Sequence, residues 1–357
     1  MNIYVTNAIG RIQGVIDSYQ SCIWVMQYFG KDEFSLVVDA SEKNINLLKP
    51  GRYLIRDIDI KSNEMTSPMV IKNYQIDFDV EKGWTLTLTG KGLKDDILGR
   101  RIIWNQINHD GTVEDLIRKV IRDNIISPSD SARRISRLAL DSAKGYSETI
   151  NCQLFSENIS DWVEEICKSY NYGWKMNLAN DLYLFSIYKG TDRSLDSQSS
   201  NVKKVIFSSE YDNLLSSSYS YNVSNYKNAA IVGGEGEGTS QRVVGIGTAS
   251  GLDRYETYID GSSVSSNGDI ITLETYLQML EAYGQTQLDQ TVFNKNFSGE
   301  IKYNGLYKLN EDFFLGDIVS IKDKKGIVAD ARIIEIIYAE DENGISVVPT
   351  FSEWEVN

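Results

Sequence analysis

Histidine is nearly absent from this chain: His109 stands alone among 357 residues, beside three cysteines and four prolines. A hydrolase relying on histidine would have to gather its partners around that one position. No GxSxG or comparable nucleophile context occurs, and His109, in the turn of "NQINHDG", is read as a surface residue. Cys22, Cys152 and Cys167 are too few and too scattered for a disulfide framework or a zinc site. They are expected as buried, reduced thiols, which fits synthesis in a reducing cytoplasm. No segment approaches the roughly 18 uninterrupted apolar residues of a membrane helix. The start, "MNIYVTNAIGRIQGVIDSY", has no basic region followed by an apolar core, so no secretory leader is expected. Positive charge is short as well: 36 lysines and arginines face 50 acids, a net charge of −14. Gripping nucleic acid is thereby disfavoured, because backbone affinity comes from cations that displace counterions. Enclosing a nucleic acid without holding it remains open.

What is present is an ordinary globular composition, 41% hydrophobic and 24% charged. The length suffices for two or more domains that bury roughly three-quarters of the unfolded surface. One strand plan occurs twice. Near the start, "GRYLIRD" from Gly51 precedes "VIKNYQIDFDVEKGWTLTLTG". There Val70, Lys72, Tyr74, Ile76, Phe78 and Val80 alternate with Ile71, Asn73, Gln75, Asp77 and Asp79, the period of a strand with one face buried and one wet. After the "EKG" turn Trp84, Leu86 and Leu88 alternate with Thr85, Thr87 and Thr89, completing a hairpin. Near the end, "GDIVSIKD" from Gly316 precedes a run from Ala331 to Tyr338 that is apolar on both sides. Asn343-Gly344 follows, a strong hairpin signal because a type I′ turn needs positive φ at both central residues. "ISVVPTF" then returns, and Pro349, which cannot donate to a ladder, is expected at an edge or where pairing ends.

Between the two occurrences the period becomes helical. Val113, Leu116, Ile117, Val120, Ile121 and Ile125 form one stripe, with Thr112 as cap, Asp115 at the third helical position and Pro128 beyond the end. Ile159, Trp162, Val163, Ile166 and Tyr170 form another, capped by Asn158, and lead into the hairpin "GWKMNLANDLYLFSIYKG". The Ser-rich "GTDRSLDSQSSN" links onward to new strands, a third helix "LETYLQMLEAYGQTQL" and the second occurrence.

Motifs that could carry chemistry fail on inspection. "GGEGEG", residues 233–238, lacks the third glycine of GxGxxG and any following Gly-Lys-Ser/Thr, and Glu235 and Glu237 would repel phosphate. "DIDIKSN" opens like a calcium loop at Asp57 and Asp59 but offers Lys61 where an oxygen ligand belongs. Glu164 and Glu165 are read as the solvated side of their helix. Tyr219 and Tyr221, two of 21 tyrosines, could stack on sugars, although tyrosine also suits half-buried sheets and protein interfaces. No catalytic, cofactor-binding or metal-binding residue is named.

Five ordered blocks carry a likeness over nearly the whole chain: "LLKPGRYLIRD" (47–57), "GRRIIWNQINHDGTVEDLIRKVIRDNI" (99–125), "NLLSSSYSYNVSNYKNAAIVGGEGEG" (213–238), "SGLDRYETYID" (250–260) and "LGDIVSIKD…ARIIEIIYAEDENGISVVPTFSE" (315–353). Together they resemble the siphophage tail-hub family, also called tail-associated or baseplate hub proteins. The resemblance implies a β-rich α+β chain with two similar antiparallel tail-tube-type β-barrel domains, an α+β domain between them and a helix-bearing insertion in the second barrel. The boundaries expected are 1–103, 104–200, 201–247 with 298–357, and 248–297 for the insertion. It further implies a non-enzymatic homotrimer, in which two barrels per subunit let a threefold object dock on a sixfold tube. That hub would sit at the distal tail tip of a virion, joining the tail tube and the distal tail protein ring to the tip, with the tape-measure protein as a further partner. Double-stranded DNA would pass its lumen unbound, past surplus acid. Relatives continue into peptidoglycan-cleaving or receptor-binding regions, whereas this chain stops at Asn357, so those activities are not carried over. Competing readings are a wall-glycan adhesion module using Tyr219 and Tyr221, and a peptidoglycan hydrolase with an unrecognised acid pair.

Overall fold

The computed structural model describes all residues except 62–63, 82, 200, 269, 292–293, 303–304, 323–327 and 353–357. Among the described residues no helix is long and apolar enough to cross a membrane. The chain opens with strands β1 (Ile3–Thr6), β2 (Ile12–Ile16), β3 (Ser21–Gln27) and β4 (Glu33–Asp39), a short helix α1 (Glu42–Leu47), and β5 (Tyr53–Arg56). Two short strands, β6 (Ile60–Lys61) and β7 (Glu64–Met65), precede the long hairpin β8 (Met69–Asp79) and β9 (Gly83–Gly92). These pair in the order β3-β4-β9-β8-β5-β1-β2, with β6 and β7 left aside. Period-two alternation sets the core: Trp24, Phe34, Leu36, Val38, Leu86 and Leu88 are all buried on one face. Leu36 lies opposite Leu88, and Val38 opposite Leu86.

The middle holds α2 (Leu93–Leu98), β10 (Ile107–Thr112), α3 (Val113–Ile121), β11 (Leu138–Leu140), β12 (Thr149–Leu154), α4 (Ile159–Ser169), β13 (Gly173–Ala179) and β14 (Leu182–Tyr188). Every residue of the expected stripe on α3 is buried, Ile125 included, which lies on a wider turn that continues the helix. Thr112 accepts from the Asp115 N–H at 3.1 Å. On α4 the Asn158 side chain accepts from the Ser160 N–H, and Ile159, Trp162, Val163 and Ile166 are buried. Asn180 and Asp181, both at positive φ, turn β13 into β14. The sheet here runs β11-β14-β13-β7-β6, so an excursion from the first strand set completes it.

The remainder comprises β15 (Ile206–Ser208), β16 (Ser218–Asn222), β17 (Ala229–Gly233), β18 (Val243–Ile246), β19 (Glu256–Asp260), α5 (Leu273–Leu288), β20 (Asn294–Ser298), β21 (Ile318–Lys322), β22 (Val328–Asp341) and β23 (Gly344–Phe351). The small sheet β18-β17-β19 and α5 share a core of their own, through Val232, Ile246, Met279 and Leu280.

The late strands repeat the early ones in order. The early set reads β3-β4-β9-β8-β5; the late set reads β16-β20-β23-β22, with β21 beside β22. Both long strands shift register once, between Ile71 and Asn73 and between Ile333 and Glu335. Both ladders then run equally far to the turn, Asn73–Asp79 and Glu335–Asp341. The detail extends to single hydrogen bonds. Gly51, at φ +82°, donates to the Ile71 carbonyl at 2.8 Å, and Gly316, at φ +94°, donates to the Ile333 carbonyl at 2.8 Å. Such φ values suit glycine because it has no Cβ to clash.

Several expectations need correction. The two sets do not form two separate barrels: β22 pairs antiparallel with β3, joining them in one 13-stranded sheet, and no closed barrel is found among the described residues. A single core runs through both sets, from Trp24 and Leu86 to Phe207, Ile333 and Phe351. The late run reads as apolar on both sides because the register shift between Ile333 and Glu335 flips its phase: Ala331 and Ile333 before it, and Ile336 and Tyr338 after it, are buried in the one core. The turn after β22 pairs Asp341 with Gly344, and the positive φ falls on Gly344 rather than on Asn343. Pro349 meets the second of its two expectations: β23 lies between β22 and β20 and is not an edge strand, but its ladder with β20 ends at Thr350, beside the proline. The Pro349 carbonyl accepts from the Gly299 N–H, and the missing donor falls where that ladder has ended, so it is tolerated.

Candidate interaction surface

Residues singled out in the sequence do not converge. His109 lies on β10 opposite Cys152 rather than in a turn, half-buried, with Nε2 2.9 Å from the Thr112 carbonyl oxygen. Asp59 does not open a calcium loop: it is buried and paired with Arg56, while Asp57 accepts the N–H groups of Asn2 and Ile58. Glu235 accepts from Ser265 Oγ and the Ser266 N–H at 2.8 Å each. Burial alone would raise its pKa, but those hydrogen bonds, with Arg242 nearby, hold it below the usual range. The glycine loop is thus tied down by its own acid. Cys22, Cys152 and Cys167 are free and buried. Tyr219 is half-exposed on β16. Among the described residues no group of three or more His, Cys, Asp or Glu could hold a metal ion.

Glu165 does not face solvent as expected. It is half-buried and accepts from Gln287 Nε2 of α5 at 3.2 Å. Burial, and then the charge of Glu165, push the neighbouring Glu157 up to about 7 from 4.5. The folded chain therefore holds a proton there that the unfolded chain has already released between those two values. Stability contributed at low pH is lost as pH rises through that window. Glu157→Gln should remove this slope and leave the variant more stable than the parent at pH 8. Urea midpoints at pH 5 and pH 8 test it, and an unchanged difference between the two would refute it.

The exposed feature that stands out is the outer half of the β8–β9 hairpin. Residues 73–79 of β8 are exposed on both faces, although Tyr74, Ile76 and Phe78 alternate as a buried face should. Across the hairpin Tyr74 opposes Leu88, Ile76 opposes Leu86 and Phe78 opposes Trp84. Leu86 and Leu88 are buried, so the core covers this apolar face under β9 and stops short of β8. Phe78 and Trp84 lie against each other, ring centroids 5.0 Å apart and planes tilted by 45°, and both remain exposed. The equivalent late residues differ: Tyr74 is 52% exposed and Ile76 38%, against 0% for Ile336 and 1% for Tyr338. β22 has β3 on its outer edge; among the described residues, β8 beyond its register shift has β9 alone. A contiguous exposed apolar patch beside an open strand edge marks an interaction site. The sequence carried the alternation but not the lack of cover.

Comparisons with known proteins show the fold in solved structures. The chain is similar in fold to the 43 kDa tail protein of prophage MuSo2 from Shewanella oneidensis, with TM-score 0.59 and 11% identity over 99% of this chain and 98% of that one. It is similar to the tail protein from Neisseria meningitidis MC58, with TM-score 0.58 and 13% identity over 98% and 96%. It is also similar to prophage tail protein gp18 from Listeria monocytogenes EGD-e, with TM-score 0.51 and 10% identity over 98% and 94%. No curated protein sequence matches. Residues 2–351 match the Siphovirus ReqiPepy6 Gp37-like protein family, so the chain belongs to that family and is a phage tail structural protein.

Proposed function

We propose that the protein is a homotrimeric hub at the distal end of the tail tube, joining tube and distal tail ring to the tip and enclosing the DNA channel. The observation that carries this reading is the internal repeat, one strand order used twice and joined head to tail through β22 and β3. Two equivalent units per subunit give three subunits six such units, which suits a threefold assembly docked on a sixfold tube. Each repeated set acts as one tube-type module, and the tape-measure protein and distal tail ring are its neighbours in the tail.

The joined sheet supports the channel. Its face away from the shared core carries Asp77 and Asp79 on β8, Glu33 and Asp39 on β4, and Glu335 and Asp341 on β22, with Lys91 opposite Glu33. Thr85, Thr87 and Thr89 fill the positions between. Ile23, Val25, Val37 and Ile337 share this face, and the carboxylates among them repel a duplex that carries about one negative charge per 1.7 Å of axis, so the genome slides without sticking.

The test is the size and shape of the purified chain. Light scattering should give three times the 40.3 kDa protomer mass, with an obligate-sized interface of roughly 2,000 Å² or more, and electron microscopy should show a ring with an open centre. A protomer mass at every concentration would refute the hub.

A further inference from the structure

Among the described residues, the repeat leaves two strand edges without the partner strand that their equivalents have. Aligning the sets through their ladders places Asn73 on Glu335 and Asp79 on Asp341. Gly90 and Phe351, the partners of Ile71 and Ile333, then place Phe34 on Phe297, and those two place Trp24 on Tyr219. Within the chain the outer edge of β22 takes β3, with Tyr338 opposite Trp24 and Ile337 opposite Val25. The equivalent of β22 is β8, whose outer edge beyond Asn73 has no strand beside it among the described residues; the equivalent of β3 is β16, whose one ladder among the described residues is with β20. One edge is the complement of the other, and they lie at different places on the same chain.

We propose that β8 of one copy pairs antiparallel with β16 of the next, repeating between subunits the seam that β22 and β3 make inside each. The inference rests on the trimeric-hub reading and specifies its contact. The inherited register sets Ile76 opposite Tyr219 of the second copy, and Gln75 opposite its Ser220. Main-chain hydrogen bonds supply affinity in such strand addition, and alternate side chains supply register. The contact is head to tail, the kind that closes into a ring when its rotation closes.

Burial supports the choice of occupant. Trp24 and Tyr338 are sealed at the internal seam, 0% and 1% exposed, whereas Tyr219 and Ile76, their equivalents, are 47% and 38% exposed. A second copy brings an aromatic residue to the place that lacks one, and covers Tyr74 and Ile76 as β3 covers Ile336 and Tyr338.

Paired cysteines test the register. Facing residues in an antiparallel pair have Cα atoms about 4.5–5.5 Å apart, within the roughly 4.4–6.8 Å that a disulfide spans. The full chain carrying Gln75→Cys and Ser220→Cys should give covalent dimers and trimers on mild oxidation, several-fold more than an off-register pair, Asp77→Cys with Ser220→Cys. Ile76→Asp should lower the solution mass threefold with the far-ultraviolet spectrum unchanged, since residue 76 is not part of the chain's own core. A trimer that forms without the in-register cross-link, or that survives Ile76→Asp, overturns the seam and leaves the hub standing. A parent chain that stays monomeric overturns both.

Discussion

Replacing Arg56 with alanine should cost about 3–5 kcal/mol, the range for removing one partner of a buried ion pair, against a net stability of about 5–15 kcal/mol for a domain. Arg56 is fully buried at the end of β5. Its Nε donates to Asp59 at 2.6 Å and its Nη2 to the other Asp59 oxygen at 3.0 Å. The guanidinium lies 5.3 Å from the Trp24 ring centroid and 5.4 Å from that of Tyr338. Trp24 belongs to β3 and Tyr338 to β22, the two strands that join the early and late sets. Alanine therefore strands the Asp59 carboxylate in the core and opens the seam on both sides. Asp59→Ala should cost a similar amount. The double change Arg56→Met with Asp59→Leu should recover much of it, because well-packed apolar residues often replace a buried pair without loss. Urea unfolding of the four chains measures this. A loss under about 1 kcal/mol for Arg56→Ala would mean that the pair behaves like a surface bridge and does not hold the seam.

Arg56 and Asp59 also show where the sequence was legible and where it was not. In "DIDIKSN" Lys61 speaks against a calcium loop, but that left Asp59 without a role; it is the counter-ion of an arginine three residues earlier, and the i, i+3 spacing was the available signal. Local order was plain in the residues. The stripes of α3 and α4, their caps Thr112 and Asn158, and both long hairpins follow from periodicity and short-range hydrogen bonds, which depend on neighbours in the chain. The β22–β3 seam does not, because it brings Glu335 opposite Gln27, and no period in either strand encodes its partner. The β8 strand failed for a related reason. Alternation tells which residues share a face but not whether the same molecule covers it, so Tyr74, Ile76 and Phe78 read as core. His109 read as turn because Asp110 and Gly111 follow it, yet pairing with β12 keeps the segment extended. The open edge of β8 shows only against its equivalent β22, which has β3 beside it.

Asp317→Ala should be the second large loss, again about 3–5 kcal/mol, and it acts at the other junction, where the chain leaves the α+β unit. Asp317 is 2% exposed. One carboxylate oxygen accepts the Thr191 N–H at 2.7 Å; the other accepts Arg193 Nε at 2.6 Å and the Phe314 N–H at 3.0 Å. The segment that follows β14 is thereby fastened alongside β21, where the Thr191 carbonyl accepts from Ile318 and the Ile318 carbonyl from Arg193. Removing the carboxylate leaves two backbone donors and a mostly buried guanidinium without their shared acceptor, and hydrogen bonds to charged groups contribute about 1.5–3 kcal/mol each. Asp317→Asn keeps an acceptor oxygen but loses the charge, so it should fall between parent and alanine. Gly190 constrains the same place: a Cβ there would sit 1.7 Å from the Gly316 carbonyl oxygen, so the two segments fit only because glycine lies at the crossing. Asp317 and Arg56 share no hydrogen-bond partner among the described residues, so their losses should add. An Arg56→Ala and Asp317→Ala double variant that unfolds no more easily than either single one would show that both report on a single junction, and the account of two separate fastenings would fail.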